Sequence, residues 1–486
     1  MTTVRRALAF SIVERYLLIV LALASNIILA RLLTPEQIGI YSVSLAVIGI
    51  AQVMRDFGIG NFLIQEKNLT DDHIRTAFGL SLLIGGALFL AVFAIAPWAA
   101  SFYGEGRMVS TLRITALNFL VLPFCSISLA LLRRDMQFQR LMVVTLIATC
   151  IGSAVTLTLA FTGFGPDSMA VGAVLTNACT GFGAWWLRRQ HGILMPSLRL
   201  WRALLNFGAQ SSAANIVTTI SMDINDLVLG KSLGFAPVAI LSRAQGLMNM
   251  FHRDVMGAVR NVAYPAFAQA HRESQALEPL YVRSVSTVCL VGWPFYGFLA
   301  LFALEVLRLM FGPQWDTAAP LVPWFCLAGA LACVANLTNP LMMAAGRIDV
   351  VTRGELIFQP LRAGLTVVTA LTTGSLLACA AVFALGYAIY IPFIYYLKQR
   401  CLPNDYRALL SGVWVSVKVT LLALAPALAL AIEAGLQRNA PVGLPMLLSA
   451  AALTIACWLG GIYLFKHPIA DDPAFRRVAR WWPRTS

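Results

Sequence analysis

The fold is decided by residues 206–264, which read NFGAQSSAANIVTTISMDINDLVLG, then KSLGFAP, then VAILSRAQGLMNMFHRDVMGAVRNVAY. Both long pieces are apolar enough to cross a bilayer, for which roughly 20 helical residues suffice. They nevertheless carry the charged residues Asp223, Asp226, Arg243, Arg253, Asp254 and Arg260. A charge at the bilayer centre costs roughly 2.5–3.5 kcal/mol on insertion scales, so such residues usually face a bundle interior or a watery cavity. The stretch therefore predicts two transmembrane helices that line a polar cavity.

Helical periodicity predicts where these side chains point. On an uninterrupted α-helix Arg243, Arg253 and Arg260 share one face with Asp254, and His252 lies opposite. On the preceding helix a second polar stripe runs through Asn215 to Asp226 in steps of three and four residues. The alternative is that Arg243 and Arg260 lie near the helix ends and extend towards the headgroups, with Arg253 paired to a nearby carboxylate.

The composition indicates a polytopic membrane protein. The 486 residues are 59% hydrophobic and only 12% charged, whereas about a quarter of an ordinary soluble protein is charged. The mean hydropathy is +0.76, and the apolar segments extend over the full length. We therefore expect no sizeable soluble domain.

The formal net charge of +14 reflects topology and not a nucleic-acid partner. If loops alternate between the two sides, the basic residues concentrate on the side of both termini. The opposite loops hold few of them: Arg31, Arg107, Lys231, Arg308 and Arg438. Cytoplasmic loops are rich in Lys and Arg, so both termini are predicted to be cytoplasmic.

The sequence offers no pattern typical of a metal, a cofactor or an enzyme. The nine cysteines are scattered and form no CxxC pair, and the five histidines are far apart. No GxSxG, HExxH or phosphate-binding glycine motif is present. We expect no cofactor and no catalytic residues.

Fourteen helical spans are predicted, an even number that agrees with two cytoplasmic termini. Turn residues mark breaks between them at Thr34-Pro35 and at Gly163-Phe164-Gly165-Pro166. The connection at residues 372–375 is so short that spans eleven and twelve must be antiparallel neighbours. They cover residues 9–33, 38–57, 76–102, 110–132, 141–161, 168–187, 204–230, 238–267, 281–311, 318–345, 351–372, 375–397, 410–434 and 443–465. We group them as an N-terminal six-helix lobe (1–190), a second six-helix lobe (200–400), two additional helices (401–466) and a cytoplasmic tail (467–486).

An internal repeat supports two pseudo-symmetric lobes. LARLLTPEQIGIYS at residues 29–42 aligns without a gap on LGKSLGFAPVAILS at residues 229–242, and Arg55-Asp56 matches Arg253-Asp254 with a two-residue slip. Transporters are often built from such repeats. Polar residues also appear later: Asn336 and Asn339 in span ten, and Glu355, Gln359 and Arg362 along one face of span eleven.

The sequence resembles the polysaccharide transporter family, the Wzx-type oligosaccharide flippases of the MOP superfamily. The resemblance rests on ARLLTPEQIGIYS (30–42), RDFGIGNFLIQ (55–65), DLVLGKSLG (226–234), SRAQ (242–245), NVAYPAFAQ (261–269) and AAGR (344–347). It covers most of the chain and weakens after span twelve.

The resemblance implies that the chain moves a polyprenyl-diphosphate-linked oligosaccharide across the membrane by alternating access between the lobes. Arginine forks match the geometry of phosphate, and the candidate substrate-binding residues are Arg243, Arg253, Arg260, Asn215, Arg55 and Arg362. The candidate ion-coupling residues are Asp223, Asp226, Asp254 and Glu355. The coupling ion is either a proton or a sodium ion. The alternative role of these carboxylates is a permanent structural Asp–Arg pair. The expected partners are the lipid-linked glycan, membrane lipids and polysaccharide polymerase machinery.

Two alternatives stay open. A multidrug-type exporter of the same superfamily predicts a cavity dominated by carboxylates with little arginine, which is the reverse of this chain. A polytopic glycan polymerase or ligase needs a large external loop with acid–base residues, and the longest predicted external loop is short.

Overall fold

The computed structural model describes residues 2–56, 59–66, 68–135, 137–187, 195–436 and 443–471, and every regular element in these ranges is helical. The helices of the first half are α1 (Thr2–Leu32), α2 (Pro35–Asp56), α3 (Ile59–Gln65), α4 (Asp71–Tyr103), α5 (Arg107–Ala116), α6 (Asn118–Arg134), α7 (Phe138–Phe161), α8 (Pro166–Leu187) and α9 (Trp201–Ser232).

The helices of the second half are α10 (Phe235–Asn249), a π-helix (Met250–Val255), α11 (Met256–Arg272), α12 (Leu277–Leu301), α13 (Ala303–Phe311), a 3₁₀ helix (Pro313–Leu321), α14 (Val322–Ala335), α15 (Thr338–Ala344), α16 (Ile348–Thr373), α17 (Leu376–Gln399), α18 (Tyr406–Leu436) and α19 (Leu444–Leu464). A short 3₁₀ turn, Pro468–Asp471, follows.

The all-helical membrane fold is confirmed. A helix, or a run of consecutive helices, lies on each of the fourteen predicted segments. Within the described ranges, nine helices or runs are both long and apolar enough to cross a membrane. The number of fourteen spans therefore stays a prediction.

The helix boundaries follow the predicted turn residues. Helix α1 ends at Leu32 and α2 begins at Pro35, because proline fits the first turn of a helix but not its interior. Pro166 likewise begins α8. Helices α16 and α17, separated by only two residues, pack against each other as predicted for antiparallel neighbours.

The chain divides into two compact units, Met1–Ala239 and Ile240–Ser486. The division falls within α10, whereas the predicted lobe boundary lies before α9. The assignment of two six-helix lobes stays a prediction. So does the assignment of the last two helices to a separate region. Most of the proposed tail lies outside the described residues.

In the first unit glycines allow α2 to pack closely against α9 and the beginning of α10. A Cβ atom built on Gly39 would be 1.9 Å from the carbonyl oxygen of Phe235, the first residue of α10, so these two backbones are nearly in contact. Further along, a Cβ on Gly49 would be 2.2 Å from Oδ2 of Asp223. Glycine at position 49 thus makes room for a carboxylate on the facing helix.

The connection between α8 and α9 is attached to the beginning of α4. The backbone N–H of Ser197 donates to the carbonyl of Arg75 at 3.1 Å, and that of Leu200 donates to Oγ1 of Thr76 at 3.4 Å. A buried apolar cluster from α3, α4, α6 and α9 lies beside it, centred on Leu63, Phe78 and Leu131.

In the second unit a buried lysine fastens α18 to the helices before it. Lys398 is fully buried and donates to Oε2 of Glu278 at 2.5 Å and to Oδ1 of Asn404 at 2.7 Å. Glu278 lies in the first turn of α12 and Asn404 precedes α18. A buried charge needs such partners, so this triad fixes where the C-terminal helices depart.

Candidate functional site

A polar cavity of about 150 Å³ lies inside the second unit, between the π-helix and helices α14 to α17. Its lining contains most of the polar side chains that span ten and span eleven contribute. The lining residues are His252, Ala332, Ala335, Asn336, Asn339, Glu355, Phe358, Gln359, Arg362, Tyr387 and Tyr390. Convergent polar groups in one cavity are the usual mark of a ligand site.

The π-helix explains how His252 reaches this cavity. A π-turn holds more residues than an α-turn and changes the direction of every side chain that follows. The prediction that His252 lies opposite Arg260 is therefore wrong. Both residues contact Asn336. Nη1 of Arg260 donates to Oδ1 of Asn336 at 3.1 Å. Nδ2 of Asn336 lies 3.4 Å from Nδ1 of His252. The error came from assuming an uninterrupted α-helix.

Span eleven behaves as its spacing predicts. Glu355, Gln359 and Arg362 lie on one face of α16 and form a chain of hydrogen bonds. Nη2 of Arg362 donates to Oε1 of Gln359 at 2.8 Å, and Nε2 of Gln359 donates to Oε2 of Glu355 at 2.7 Å. The amide thus connects the cation and the carboxylate, which do not form a direct salt bridge.

Neutral donors surround the Glu355 carboxylate. Oε1 accepts hydrogen bonds from Nδ2 of Asn339 at 2.8 Å and from the Tyr390 hydroxyl at 3.1 Å. Within the described residues no cation lies within salt-bridge distance of Glu355. The carboxyl group is oriented by these neutral hydrogen-bond donors.

Two neighbouring aromatic rings of α17 contact the Arg362 guanidinium. Its central carbon lies 5.3 Å from the ring centre of Phe383 and 5.4 Å from that of Tyr387. Cation–π contacts of this kind contribute roughly 0.5–2 kcal/mol. Tyr387 also approaches His252, with 3.5 Å between its hydroxyl and Nε2.

The other predicted arginines of the π-helix region lie outside the cavity lining. Arg243 on α10 is stacked 5.0 Å from the ring centres of both Phe311 and Trp315. Arg253 is 73% exposed and forms an ion pair of 3.0 Å with the neighbouring Asp254. The predicted common face of Arg243, Arg253 and Arg260 is thus divided into three different environments.

The remaining predicted site residues belong to the first unit. Arg55 is half-buried in the last turn of α2. Asp223 and Asp226 are partly buried on α9, and neither has a hydrogen-bond or salt-bridge partner among the described residues. Asn215 lies on α9, but its side chain is outside the described part of the structure.

Sequence reasoning missed His252, Tyr387 and Tyr390 as cavity residues. The presence of a histidine within an apolar span was itself a usable signal, because ionisable residues at membrane depth are usually functional. The two tyrosines gave no such signal, since their spacing on α17 is equally typical of a packed helix face.

The family model described as a polysaccharide biosynthesis protein matches residues 28–320, which is more than half of the chain. The chain belongs to this family. The match begins within α1 and ends in the 3₁₀ helix before α14, so it includes the π-helix and both copies of the internal repeat.

Two relatives of this polysaccharide biosynthesis family show how far the similarity extends. The chain is 25% identical over 345 residues to the lipopolysaccharide biosynthesis protein WzxC of Escherichia coli K12, covering 70% of each chain. It is 25% identical over 343 residues to the teichuronic acid biosynthesis protein TuaB of Bacillus subtilis 168, covering 69% of this chain and 70% of TuaB.

Solved structures place this family member in a known transporter fold. The lipid II flippase MurJ in an inward closed conformation superposes with a TM-score of 0.74, at 12% identity and over 96% of this chain and 99% of MurJ. An inward-facing multidrug transporter of the MATE family in the MOP superfamily superposes with a TM-score of 0.60 at 18% identity. The superposition covers 78% of this chain and 94% of that transporter. These similarities concern the fold alone.

Proposed function

We propose that this chain moves a polyprenyl-diphosphate-linked oligosaccharide from one leaflet of the bacterial inner membrane to the other, as a transporter and not as an enzyme. Membership of the polysaccharide biosynthesis family is the observation that carries this proposal. The relatives named for lipopolysaccharide and teichuronic acid biosynthesis support it. The fold shared with a lipid II flippase supports the same substrate class, a glycan on a lipid carrier.

Accumulation of the trapped substrate tests this function. In a strain that lacks the gene, we expect the lipid-linked repeat unit to accumulate in the inner membrane and the surface polysaccharide to disappear. Mass spectrometry of the extracted lipid identifies the glycan. A strain that exports its polysaccharide normally and accumulates no lipid-linked unit contradicts the proposal.

The proposed orientation has both termini in the cytoplasm, and the distribution of Lys and Arg supports it. Reporter fusions after Arg134 and Arg347 should read cytoplasmic, and a fusion at Glu105 should read periplasmic. A periplasmic signal at Arg347 means that the number of spans in the second half is wrong.

We propose that the anionic headgroup is bound by Arg243, Arg253 and Arg260. The further proposed substrate-binding residues are Asn215, Arg55 and Arg362. Arg253 suits a direct test because its side chain is 73% exposed. Substitution of an exposed ion pair changes stability by under about 1 kcal/mol, so Arg253→Ala should reach the membrane. Export should nevertheless fall, and Arg253→Lys should recover only part of it, because lysine lacks the bidentate fork. Full complementation by Arg253→Ala removes this residue from the headgroup site.

Ion coupling is proposed for Asp223, Asp226, Asp254 and Glu355, whose carboxylates lie within or beside the spans. A carboxylate at membrane depth without a partner is costly, and binding of a proton or a sodium ion removes that cost. Asp226→Asn should therefore uncouple transport from an imposed ion gradient in proteoliposomes. If the variant responds to the gradient as the wild type does, Asp226 does not carry the coupling ion.

Polysaccharide polymerase machinery is the proposed protein partner, because a flipped repeat unit must be polymerised on the far side. Crosslinking in cells followed by purification of the tagged full chain should recover the polymerase of the same pathway. If the polymerase is recovered no more than an unrelated inner-membrane protein, the chain and the polymerase do not form a stable contact.

A further inference from the structure

The cavity of the second unit contains polar groups whose hydrogen-bonding capacity the protein does not use. Asn339 directs its Nδ2 to Glu355 and Tyr390, but its Oδ1 is buried and has no partner among the described residues. Leaving a buried acceptor unsatisfied costs roughly 1–3 kcal/mol. Asn339 lines the cavity, so a ligand there that donates a hydrogen bond can satisfy this acceptor when the amide turns towards it.

Arg362 provides the complementary donors. Within the described part of the chain its guanidinium makes one hydrogen bond, to Gln359, although it has five N–H donors. The two rings beside it contact the guanidinium without using those donors. The same cavity therefore offers an unused acceptor and several unused donors, and both are oriented by their neighbours.

This combination selects a hydroxyl over a phosphate. A hydroxyl both donates and accepts, so it can donate to Oδ1 of Asn339 or to Glu355 and accept from Arg362. Phosphate oxygens only accept at neutral pH, so they can use the donors of Arg362 but neither Oδ1 of Asn339 nor the carboxylate oxygens of Glu355. The cavity thus differs in chemistry from the proposed headgroup site of Arg243, Arg253 and Arg260, where arginine donors are expected.

The dimensions and the walls favour one ring. Pockets for drug-sized ligands measure about 300–1,000 Å³, so a cavity of about 150 Å³ accepts a single ring and not an oligosaccharide. Phe358, Tyr387 and Tyr390 provide aromatic surface in the lining. The C–H face of a pyranose is apolar and packs on such rings, while its hydroxyls point to the polar groups at the edge.

We propose that this cavity binds one neutral sugar ring of the transported glycan, through Asn339, Glu355 and Arg362. The proposal rests on the proposed flippase function and adds a glycan-recognising subsite separate from the diphosphate. It predicts that the protein distinguishes a glycosylated lipid carrier from the bare carrier.

Native mass spectrometry of the purified full chain tests the subsite with four probes. These are undecaprenyl diphosphate, and the same lipid carrying one glucose, one galactose or one N-acetylglucosamine. The wild type should bind at least one hexosyl lipid about tenfold more tightly than the bare lipid, the factor expected from one or two net hydrogen bonds. Asn339→Leu and Arg362→Lys should each reduce that preference to about threefold or less.

Two controls separate recognition from folding. Arg353→Lys makes the same substitution on the same helix at an exposed position outside the cavity, and it should keep the full preference. Arg362→Lys retains charge and size, so it keeps the test decisive if Asn339→Leu does not fold. Both cavity variants should bind the bare lipid within about twofold of the wild type.

The outcomes distinguish the two proposals. A wild type that binds the bare lipid but prefers none of the three hexosyl lipids overturns the sugar subsite and leaves the flippase proposal standing. Equal losses for bare and glycosylated lipid in both cavity variants also overturn it, because Arg362 then acts on the headgroup. A wild type that binds none of the four lipids contradicts the flippase proposal itself.

Discussion

The two copies of the internal repeat begin alike and then diverge. Helices α1 and α2 are separated by residues 33–34, and α9 and α10 are separated by residues 233–234, so the helix breaks are 200 residues apart. Helix α2 continues without interruption to Asp56. The equivalent helix of the second copy changes to a π-helix after Asn249.

The divergence gives the matched charged pairs different environments. Arg55 is half-buried in the last turn of α2. Arg253 lies within the π-helix, is mostly exposed and pairs with Asp254, while His252 beside it enters the polar cavity. A repeat that shares the position of its helix break therefore does not place its matched charged residues in the same surroundings. The π-turn brings His252 of the second copy into the polar cavity.

Removal of the π-turn should have the largest effect. Deleting Val255, which is exposed, lets the segment close as an ordinary α-turn and rotates α11 by roughly 100° relative to α10. Arg260 then no longer faces Asn336, and complementation of a null strain should be lost. Val255→Ala, which keeps the residue count, should complement. A deletion variant that transports like the wild type shows that the π-turn has no role in the site.

Exchange of the small residues tests the asymmetry at the start of the repeat, where Gly39 corresponds to Ala239. Gly39→Ala places a Cβ against the backbone of Phe235, and forced overpacking costs roughly 1–3 kcal/mol. The thermal unfolding midpoint of the purified chain should fall clearly. Ala239→Gly removes a methyl group from a helix and should cost about 1 kcal/mol or less. Equal midpoints for Gly39→Ala and the wild type mean that α2 and the first residue of α10 are not in such close contact.

Gly49→Ala should separate stability from transport. Its new Cβ meets the end of the Asp223 side chain and not backbone, so the carboxylate can move at a cost of under about 1 kcal/mol. The midpoint should stay close to that of the wild type, whereas gradient-driven transport should fall because Asp223 is displaced. Gly86→Ala, at an open helical position, is the control. Unchanged transport in Gly49→Ala argues against a role for the position of Asp223.

The smallest effect is expected at the loop between α4 and α5. Arg107 donates to the Glu105 carboxylate at 2.8 Å and holds the pKa of Glu105 below its ordinary value. A lowered pKa adds stability above the unfolded-state pKa of roughly 4.3, and that stability is lost as the pH falls further. Arg107→Ala should lower the thermal unfolding midpoint slightly at pH 7. Between pH 7 and roughly pH 3.5 the midpoint of the variant should fall less than that of the wild type. An identical pH profile for variant and wild type contradicts the pairing.

The sequence predicted those features that follow from local rules. Pro35 and Pro166 marked helix starts, and the spacing of Glu355, Gln359 and Arg362 predicted one face of α16, which the hydrogen bonds confirm. These predictions depend only on proline geometry and on the period of a regular helix.

The placement of His252 was not predictable in the same way. A π-turn has no strong local signature in MNMFHRDV, and a change of register alters the direction of every later side chain. Arg253 and Arg260 were consequently assigned to one face, although the structure gives Arg253 mostly to solvent and Arg260 to Asn336. Periodicity reasoning fails where the period itself changes.

Reconstituted transport tests the central claim most directly. The purified full chain is placed in proteoliposomes with a lipid-linked oligosaccharide in both leaflets, and a membrane-impermeant glycosidase is added outside. With the wild type, digestion should proceed beyond the outer-leaflet glycan until nearly all of it is cleaved, because inner-leaflet molecules are carried outward. Digestion in protein-free liposomes should stop once the outer-leaflet glycan is cleaved. The same result with the wild type, under an ion gradient imposed in either direction, would contradict the account.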